Sequence, residues 1–193
     1  MRVSREQAAE NRARIVAEAS RLFREKGITG VGVDKLTEAA GLTHGSLYSQ
    51  FGSKERLAAA ALEHALSRGA LSRVAESDLP PKERAAQVID RYLSQAHRDG
   101  PGQGCAMAAL ASEIPRQGEP VRAAFAEGLR SKIESLAALL GESGEAQAHD
   151  EAMAMIASLV GALTLARAVD DEALSNKLLT ATARSLKRKI GAA

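Results

Sequence analysis

The chain has 193 residues, enough for one compact unit or two small ones sharing a helix, and with 45% apolar residues it is no disordered tail. A net charge of +2 does not by itself mark a nucleic-acid binder, and the single cysteine, Cys105, excludes an intramolecular disulfide and suits a reducing compartment. Alanine and leucine dominate while β-branched and aromatic residues are sparse, which favours helix over sheet.

The first residues, Met1 to Asn11, are polar and charged and lack the apolar centre of a secretion signal. Arg2, Arg5, Arg12, Arg14, Arg21, Arg24, Lys26, Lys35, Lys54 and Arg56 outnumber the acids of this segment; that suits phosphate contacts and equally an ordinary solvated face. Ile15, Ala19, Leu22 and Phe23 form an apolar stripe at helical spacing, and Gly27 ends that helix behind Arg24 and Lys26. A short second helix is predicted from Val33 to Ala40 and stops at Gly41. Thr43 is the expected N-cap of a third, through Phe51. Gly52 breaks the pattern, and Ser53 caps a long fourth helix reaching about Ser77.

Pro80 and Pro81 mark the next boundary. A helix to about Arg98 carries Val88, Ile89, Tyr92 and Leu93. Asp99 to Gly104 is a flexible connection, and Cys105 to Ile114 a short apolar helix ended by Pro115. Val121, Phe125, Leu129, Ile133, Leu136 and Leu140 stripe a longer helix, followed by a turn from Gly141 to Gly144. The last two helices span about Glu145 to Ala168 and Asp171 to Ile190, with Asp170 and Asp171 as N-cap candidates. Every apolar run is interrupted by Arg, Lys, Glu or Asp before it is long enough to cross a bilayer, so the reading is cytoplasmic with no membrane partner.

Two short helices joined at Gly41 make a helix-turn-helix pattern, in which the second helix enters the DNA major groove. Leu36, Ala40, Leu42 and Leu47 hold the pair together, leaving Thr43, His44, Gly45, Ser46, Ser49 and Gln50 exposed. These are small or hydrogen-bonding residues suited to close approach. Gln50 suits the adenine edge, and His44 a base or a phosphate.

The run Ala19-x-x-Leu22-Phe23-x-x-x-Gly27, followed by Leu36-x-x-Ala39-Ala40-Gly41-Leu42-Thr43-His44-Gly45-Ser46-Leu47-Tyr48-Ser49-Gln50-Phe51-Gly52-Ser53-Lys54-Glu55-x-Leu57, resembles the DNA-binding domain of the TetR family. That resemblance implies an all-α fold, with an N-terminal helix-turn-helix domain over residues 1–52, a connecting helix over 53–77, and a C-terminal helical ligand-binding and dimerisation domain over 78–193. It implies a homodimer on double-stranded operator DNA, released by a small-molecule effector. Tyr48 and Lys54 then contact phosphates while Thr43 to Gln50 read the operator. Packing against Phe51 and simple solvation are the alternatives for Tyr48 and Lys54. Two positions depart from the family's common pattern. Gly32 stands where a Thr or Ser usually caps the second helix, and Gln50 where His is frequent.

Tyr92, His97, Cys105, Met107, Phe125 and Met153 are the candidate ligand-binding or sensing residues, a set that describes a plain core equally well. Cys105 follows a glycine-rich turn at a predicted helix start, where a thiolate is favoured. The run Gly104-Cys105-x-x-x-x-Leu110-x-x-Glu113 resembles an electrophile-sensing, NemR-type subset of the same family; a small buried apolar residue is the alternative. Met153, Ile156, Leu159, Val160 and Leu163 on one helix, with Leu179, Ala183, Leu186 and Ile190 on the next, are expected to form a four-helix dimer interface or an intrachain core. A thiol-dependent enzyme would pair Cys105 with His97 or His149, and a helical adaptor would need none of the Thr43 to Lys54 constellation. His44, His64, His97 and His149 lack metal-ligand spacing, and no cofactor motif appears.

Overall fold

The computed structural model describes residues 5–41, 43–68, 78–141 and 145–192, with backbone alone at Arg5, His44 and Glu145. Among the described residues there are ten α-helices, two short 3₁₀ turns and no strand. Helix α1 (Arg5–Lys26) buries Ile15, Ala19, Leu22 and Phe23, the apolar stripe of the sequence, and ends at Gly27. Helices α2 (Val33–Ala39) and α3 (His44–Phe51) follow. Between them Gly41 has φ 65°, a conformation that carries a Cβ penalty for other residues and lets the chain reverse here. Leu36, Ala40 and Leu47 are buried between these helices; Leu42, expected beside them, lies outside the described residues.

Helix α4 (Lys54–Ser67) starts at Ser53, whose hydroxyl accepts from the Arg56 N–H at 3.1 Å. It ends at Ser67, with Arg68 extended; the rest of the expected helix, residues 69–77, lies outside the described residues. One side of α4 packs on α1 and the other on α8 (Glu119–Leu140). Gly128 of α8 permits that approach, since a Cβ there would lie 2.3 Å from Leu66 Cδ1. The apolar cluster therefore runs unbroken from Ile15 to Leu186, with α4 bridging its two ends.

Three expectations for the middle of the chain are corrected. The helix predicted to reach Arg98 is two: α5 (Pro81–Tyr92) and α6 (Gln95–Asp99). Ser94 breaks it by capping α6, accepting from the His97 N–H at 3.2 Å. The Asp99 to Gly104 stretch, read as flexible, is pinned. Pro101–Gln103 forms a 3₁₀ turn, Gly102 is buried, and its carbonyl accepts from Arg24 Nε at 3.0 Å and Nη2 at 2.5 Å. The helix expected from Cys105 to Ile114 is only α7 (Ala106–Leu110), followed by a turn and a second 3₁₀ segment, Ile114–Arg116. Pro115 cannot donate to a helical ladder there.

Helices α9 (Glu145–Ala168) and α10 (Glu172–Lys189) fall within a residue or two of expectation, and Asp171 Oδ1 accepts from the Leu174 N–H at 3.0 Å. Helix α9 lies between α8 and α10. Ile156, Leu159, Leu163, Leu179 and Leu186 are buried within the chain, so they form intrachain core and not an intermolecular seam. The apolar residues left outside are Met153, Leu165 and Leu174, 46%, 55% and 45% exposed. Because α9 is apolar on both faces, Ala146–Ala168 is by length and composition able to cross a membrane. This corrects the expectation that charge interrupts every apolar run, since Asp150, Glu151 and Arg167 lie only near its ends.

Candidate functional site

The helix-turn-helix surface takes its shape from α2 and α3. Thr43, Gly45, Tyr48 and Ser49 are exposed, Tyr48 by 50%. Thr43 has N-cap backbone geometry, but its hydroxyl does not cap; it pairs with Ser46 Oγ at 3.1 Å, and the Thr43 carbonyl accepts from the Ser46 N–H. The His44 side chain lies outside the described residues. Gln50 is half-buried, and its Oε1 is enclosed without a hydrogen bond, so the amide is turned inward instead of standing out from α3. Arg12 was not singled out from the sequence. It donates to the Gln50 carbonyl at 2.9 Å and lies over the Phe51 ring at 4.1 Å, tying α1 to the end of α3. Lys54 is half-buried; burial lowers its pKa from 10.5 and the Glu113 charge opposes that shift.

Glu113 comes from the other end of the fold. Its Oε2 accepts from the backbone N–H of Ile28 at 3.0 Å and of Thr29 at 3.3 Å, in the turn between α1 and α2. The flanks of helix α7 therefore hold the helix-turn-helix end of the fold at two points, through Gly102 on Arg24 of α1 and through Glu113 on the α1–α2 turn.

A cavity of about 500 Å³ is walled in part by the stretch from Gln103 to Met107, which follows Gly102. Tyr92, His97, Cys105 and Met107 of the sequence-selected set line it; Phe125 and Met153 do not, Phe125 being packed against the core and Met153 facing outward. Its apolar wall includes Leu66, Ile156 and Leu159. Lys132, 8% exposed, also lines it and was missed. A signal was present, because Lys132 falls three residues after Leu129 and four before Leu136, on the apolar stripe of α8. Burial lowers its pKa from 10.5, and the nearby Cys105 opposes the shift.

His97 organises the cavity wall. Its Nδ1 lies 2.7 Å from the Tyr92 carbonyl, which can only accept, so Nδ1 carries the proton. Nε2 then accepts from the Cys105 N–H at 2.9 Å. Both ring nitrogens serve backbone groups, and His97 is no base for the Cys105 thiol. His149 instead pairs with Glu134 at 3.0 Å. The Tyr92 ring meets His97 edge-on at 4.7 Å, and Arg167 donates to the carbonyls of His97 and Arg98. Among the described residues, no cluster of three His, Cys, Asp or Glu side chains is placed to hold a metal ion.

Burial lowers the His97 pKa from 6.5; the bond to Tyr92 opposes this and Arg167 assists it. The unfolded chain therefore protonates first. The stability from neutral His97 is complete above about pH 6.5 and is lost as pH falls through the lower folded value. His64, lowered by burial and by Arg68 and Arg24, adds to the same trend. His97→Phe should cost about 1–3 kcal/mol near neutral pH by stranding the Tyr92 carbonyl and the Cys105 N–H. It should also flatten the acid-side loss. Urea unfolding of both proteins across that range checks this, and equal pH slopes would exclude His97 as the titrating group.

The chain matches "Bacterial regulatory proteins, tetR family" over residues 15–61 and "Transcriptional regulator LmrA/YxaF-like, C-terminal domain" over residues 81–180. It is 28% identical over 139 residues to the HTH-type transcriptional repressor NemR of Escherichia coli (strain K12), covering 70% of each chain. It is 26% identical over 161 residues to the HTH-type transcriptional regulator LmrA of Bacillus subtilis (strain 168), covering 81% of this chain and 86% of that protein. The crystal structure of E. coli NemR in its reduced form superposes with a TM-score of 0.80 at 25% identity, covering 93% of this chain and 96% of that one.

Proposed function

The chain belongs to the TetR family of bacterial regulatory proteins, and from that premise we propose that it is a ligand-responsive DNA-binding transcriptional regulator, a repressor released from its operator by a small molecule or by modification of Cys105. It works in the cytoplasm as a homodimer on double-stranded DNA, with reading helices in residues 1–52, a connecting segment in 53–77 that opens with α4 and the effector and dimer surfaces in 78–193. Its relatives are transcriptional regulators and not enzymes.

The observation that carries this reading is the double attachment of the cavity wall. Cys105 sits between the Gly102 carbonyl on Arg24 and the Glu113 carboxylate on Ile28 and Thr29. A ligand or adduct that moves this wall bears directly on α1 and on the turn that leads from it into α2. It releases DNA to the extent that it prefers the moved state. The reduced form described for NemR supports a role for thiol state in this type of regulator.

The exposed Tyr48 hydroxyl and the Lys54 ammonium are assigned to phosphates, and Thr43 to Gln50 to the bases. Lys54 shares its charge between Glu113 and the DNA, which makes Glu113 a competitor for it. Anisotropy with the protein's own upstream DNA tests the reading. Tyr48→Phe should weaken binding roughly tenfold on every sequence. Lys54→Ala should lower the salt slope by about one phosphate per protomer. Gln50→Ala should change base preference, the inward-turned Gln50 amide swinging out from α3 to reach a base edge on the operator. If wild type shows no sequence-specific binding to that DNA, the regulator reading fails.

A further inference from the structure

Helix α3 is short, and its last turn leaves carbonyls that no later N–H of the same helix can reach. The Gly52 N–H donates to the Tyr48 carbonyl at 2.9 Å, and Gly52, with φ 74°, then turns the chain away. The Gln50 carbonyl is met from another helix: Arg12 Nη1 of α1 donates to it at 2.9 Å, across 38 residues of sequence. A cation at this place sits at the negative end of the α3 dipole, and its charge strengthens the bond. The same guanidinium lies over the Phe51 ring, 4.1 Å from its centre, and Phe51 is buried in the core. Arg12 therefore grips two neighbouring residues of α3, one by its backbone and one by its ring. At the other end of the helix the Thr43 hydroxyl pairs with Ser46 Oγ within the first turn. Leu47 and Phe51 seat α3 in the core, but apolar burial is non-directional, whereas an N–H···O bond fixes an orientation.

We propose that Arg12 is a positioning residue for operator recognition: by holding the Gln50 carbonyl and the Phe51 ring it fixes the end of α3 against α1, and so sets how well the reading side chains match the base edges. This rests on the DNA-reading role assigned to α3 above and adds a determinant of sequence preference that lies outside the helix-turn-helix. Hydrogen bonds to base edges weaken steeply with misalignment, so a small tilt of α3 costs them more than it costs the electrostatic contacts to phosphates. The Gln50 side chain does not do this work, because its Oε1 is enclosed without a hydrogen bond; the backbone of the residue is what Arg12 holds. Arg12 is itself exposed, so replacing it leaves the core side chains in place.

Anisotropy of the full chain on its own upstream DNA, and on the same DNA carrying single base-pair changes, measures discrimination as a ratio of affinities. Arg12→Met keeps an apolar stem over Phe51 and removes the charge and the donor. It should lower the discrimination ratio about fivefold or more, the lower end of what one base-edge pair supplies. The dependence of affinity on salt should stay at the wild-type slope, and circular dichroism should show the wild-type helix content. Arg12→Lys keeps a cation that can reach the carbonyl and should recover part of the ratio. A salt slope reduced by about one phosphate per protomer, with discrimination unchanged, would make Arg12 a phosphate contact and overturn the proposal. An equal loss on every sequence together with a lower thermal midpoint would make it a structural residue only, and an unchanged ratio would leave it no part in recognition. If Arg12→Met does not fold, Arg12→Lys decides: its ratio should fall below wild type, and equality overturns the proposal. A wild type without sequence-specific binding removes the regulator reading and this role with it, whereas specific wild-type binding with undiminished discrimination in the variants removes this role alone.

Discussion

Met153→Glu combined with Leu165→Glu should give a folded monomer whose operator affinity is about 10²- to 10⁴-fold weaker than that of the wild-type dimer. The two side chains are 46% and 55% exposed in the isolated chain, so glutamate at either position strands no core contact. Both lie on the outer face of α9 with exposed Ala154, Ala157 and Thr164, a small-residue face that lets a second helix approach closely. In a dimer these positions are desolvated, and facing glutamates lose hydration and repel their symmetry mates. Leu163→Glu provides the contrast. Leu163 is fully buried within its own chain, so a charge there should unfold the protein and leave no folded monomer. Sedimentation gives the oligomeric state, circular dichroism the fold, and anisotropy the operator affinity. A double variant that stays dimeric would move the interface elsewhere, and a folded monomer that binds the full operator as tightly as wild type would remove the dimer requirement.

Alkylation of Cys105 by N-ethylmaleimide should release the operator with a loss of about 5- to 150-fold in affinity, the usual range of allosteric coupling, and Cys105→Ser should bind DNA normally and not respond. Cys105 is half-buried in the cavity wall and reachable from it. Its N–H is held by His97 Nε2, and it serves as N-cap of α7. The thiol adds across the maleimide double bond, forming a carbon–sulfur bond and placing a ring where Tyr92, Met107 and Lys132 meet. The wall can relieve that bulk only by moving, and both of its anchors, Gly102 on Arg24 and Glu113 on Ile28 and Thr29, belong to the DNA-reading end. Glu113→Gln should weaken this coupling, because a neutral amide oxygen is a poorer acceptor for two N–H groups. Mass spectrometry establishes complete modification while anisotropy follows DNA. Wild type that remains bound with Cys105 fully alkylated would show that the thiol is no switch, and Cys105 would then be a packing residue beside a non-covalent pocket.

The helices themselves were largely legible because their signals are local. An apolar residue every third or fourth position marks α1, α8, α9 and α10, and glycine at 27, 41 and 52, Ser53 and Asp171 mark their ends. The helix-turn-helix is of this kind, since α2, Gly41 and α3 are neighbours in sequence and need no distant partner to be recognised. Legibility failed where two local signals competed. Leu93 continued an apolar pattern while Ser94 capped a new turn, and the cap prevailed. It failed again for the glycine-rich stretch before Cys105, where composition suggests mobility but the Gly102 carbonyl is the acceptor for Arg24, 78 residues away.

By itself, then, the sequence determined an all-α chain with a DNA-reading pair of helices near its start and a single thiol beside a turn. It left undetermined which apolar residues of α9 face inward, because that helix is apolar on both sides and only the packing of α8 and α10 selects Leu159 and Leu163 for the core and leaves Met153 and Leu165 outside. Tertiary structure also decided that Lys132 shares a cavity with Tyr92 and Cys105, that His97 spends both ring nitrogens on backbone, and that Glu113 reaches across 85 residues to Ile28. Periodicity and capping depend on residues a turn apart, whereas a site depends on which faces meet once the helices pack, and that is settled by the burial of the whole apolar surface at once.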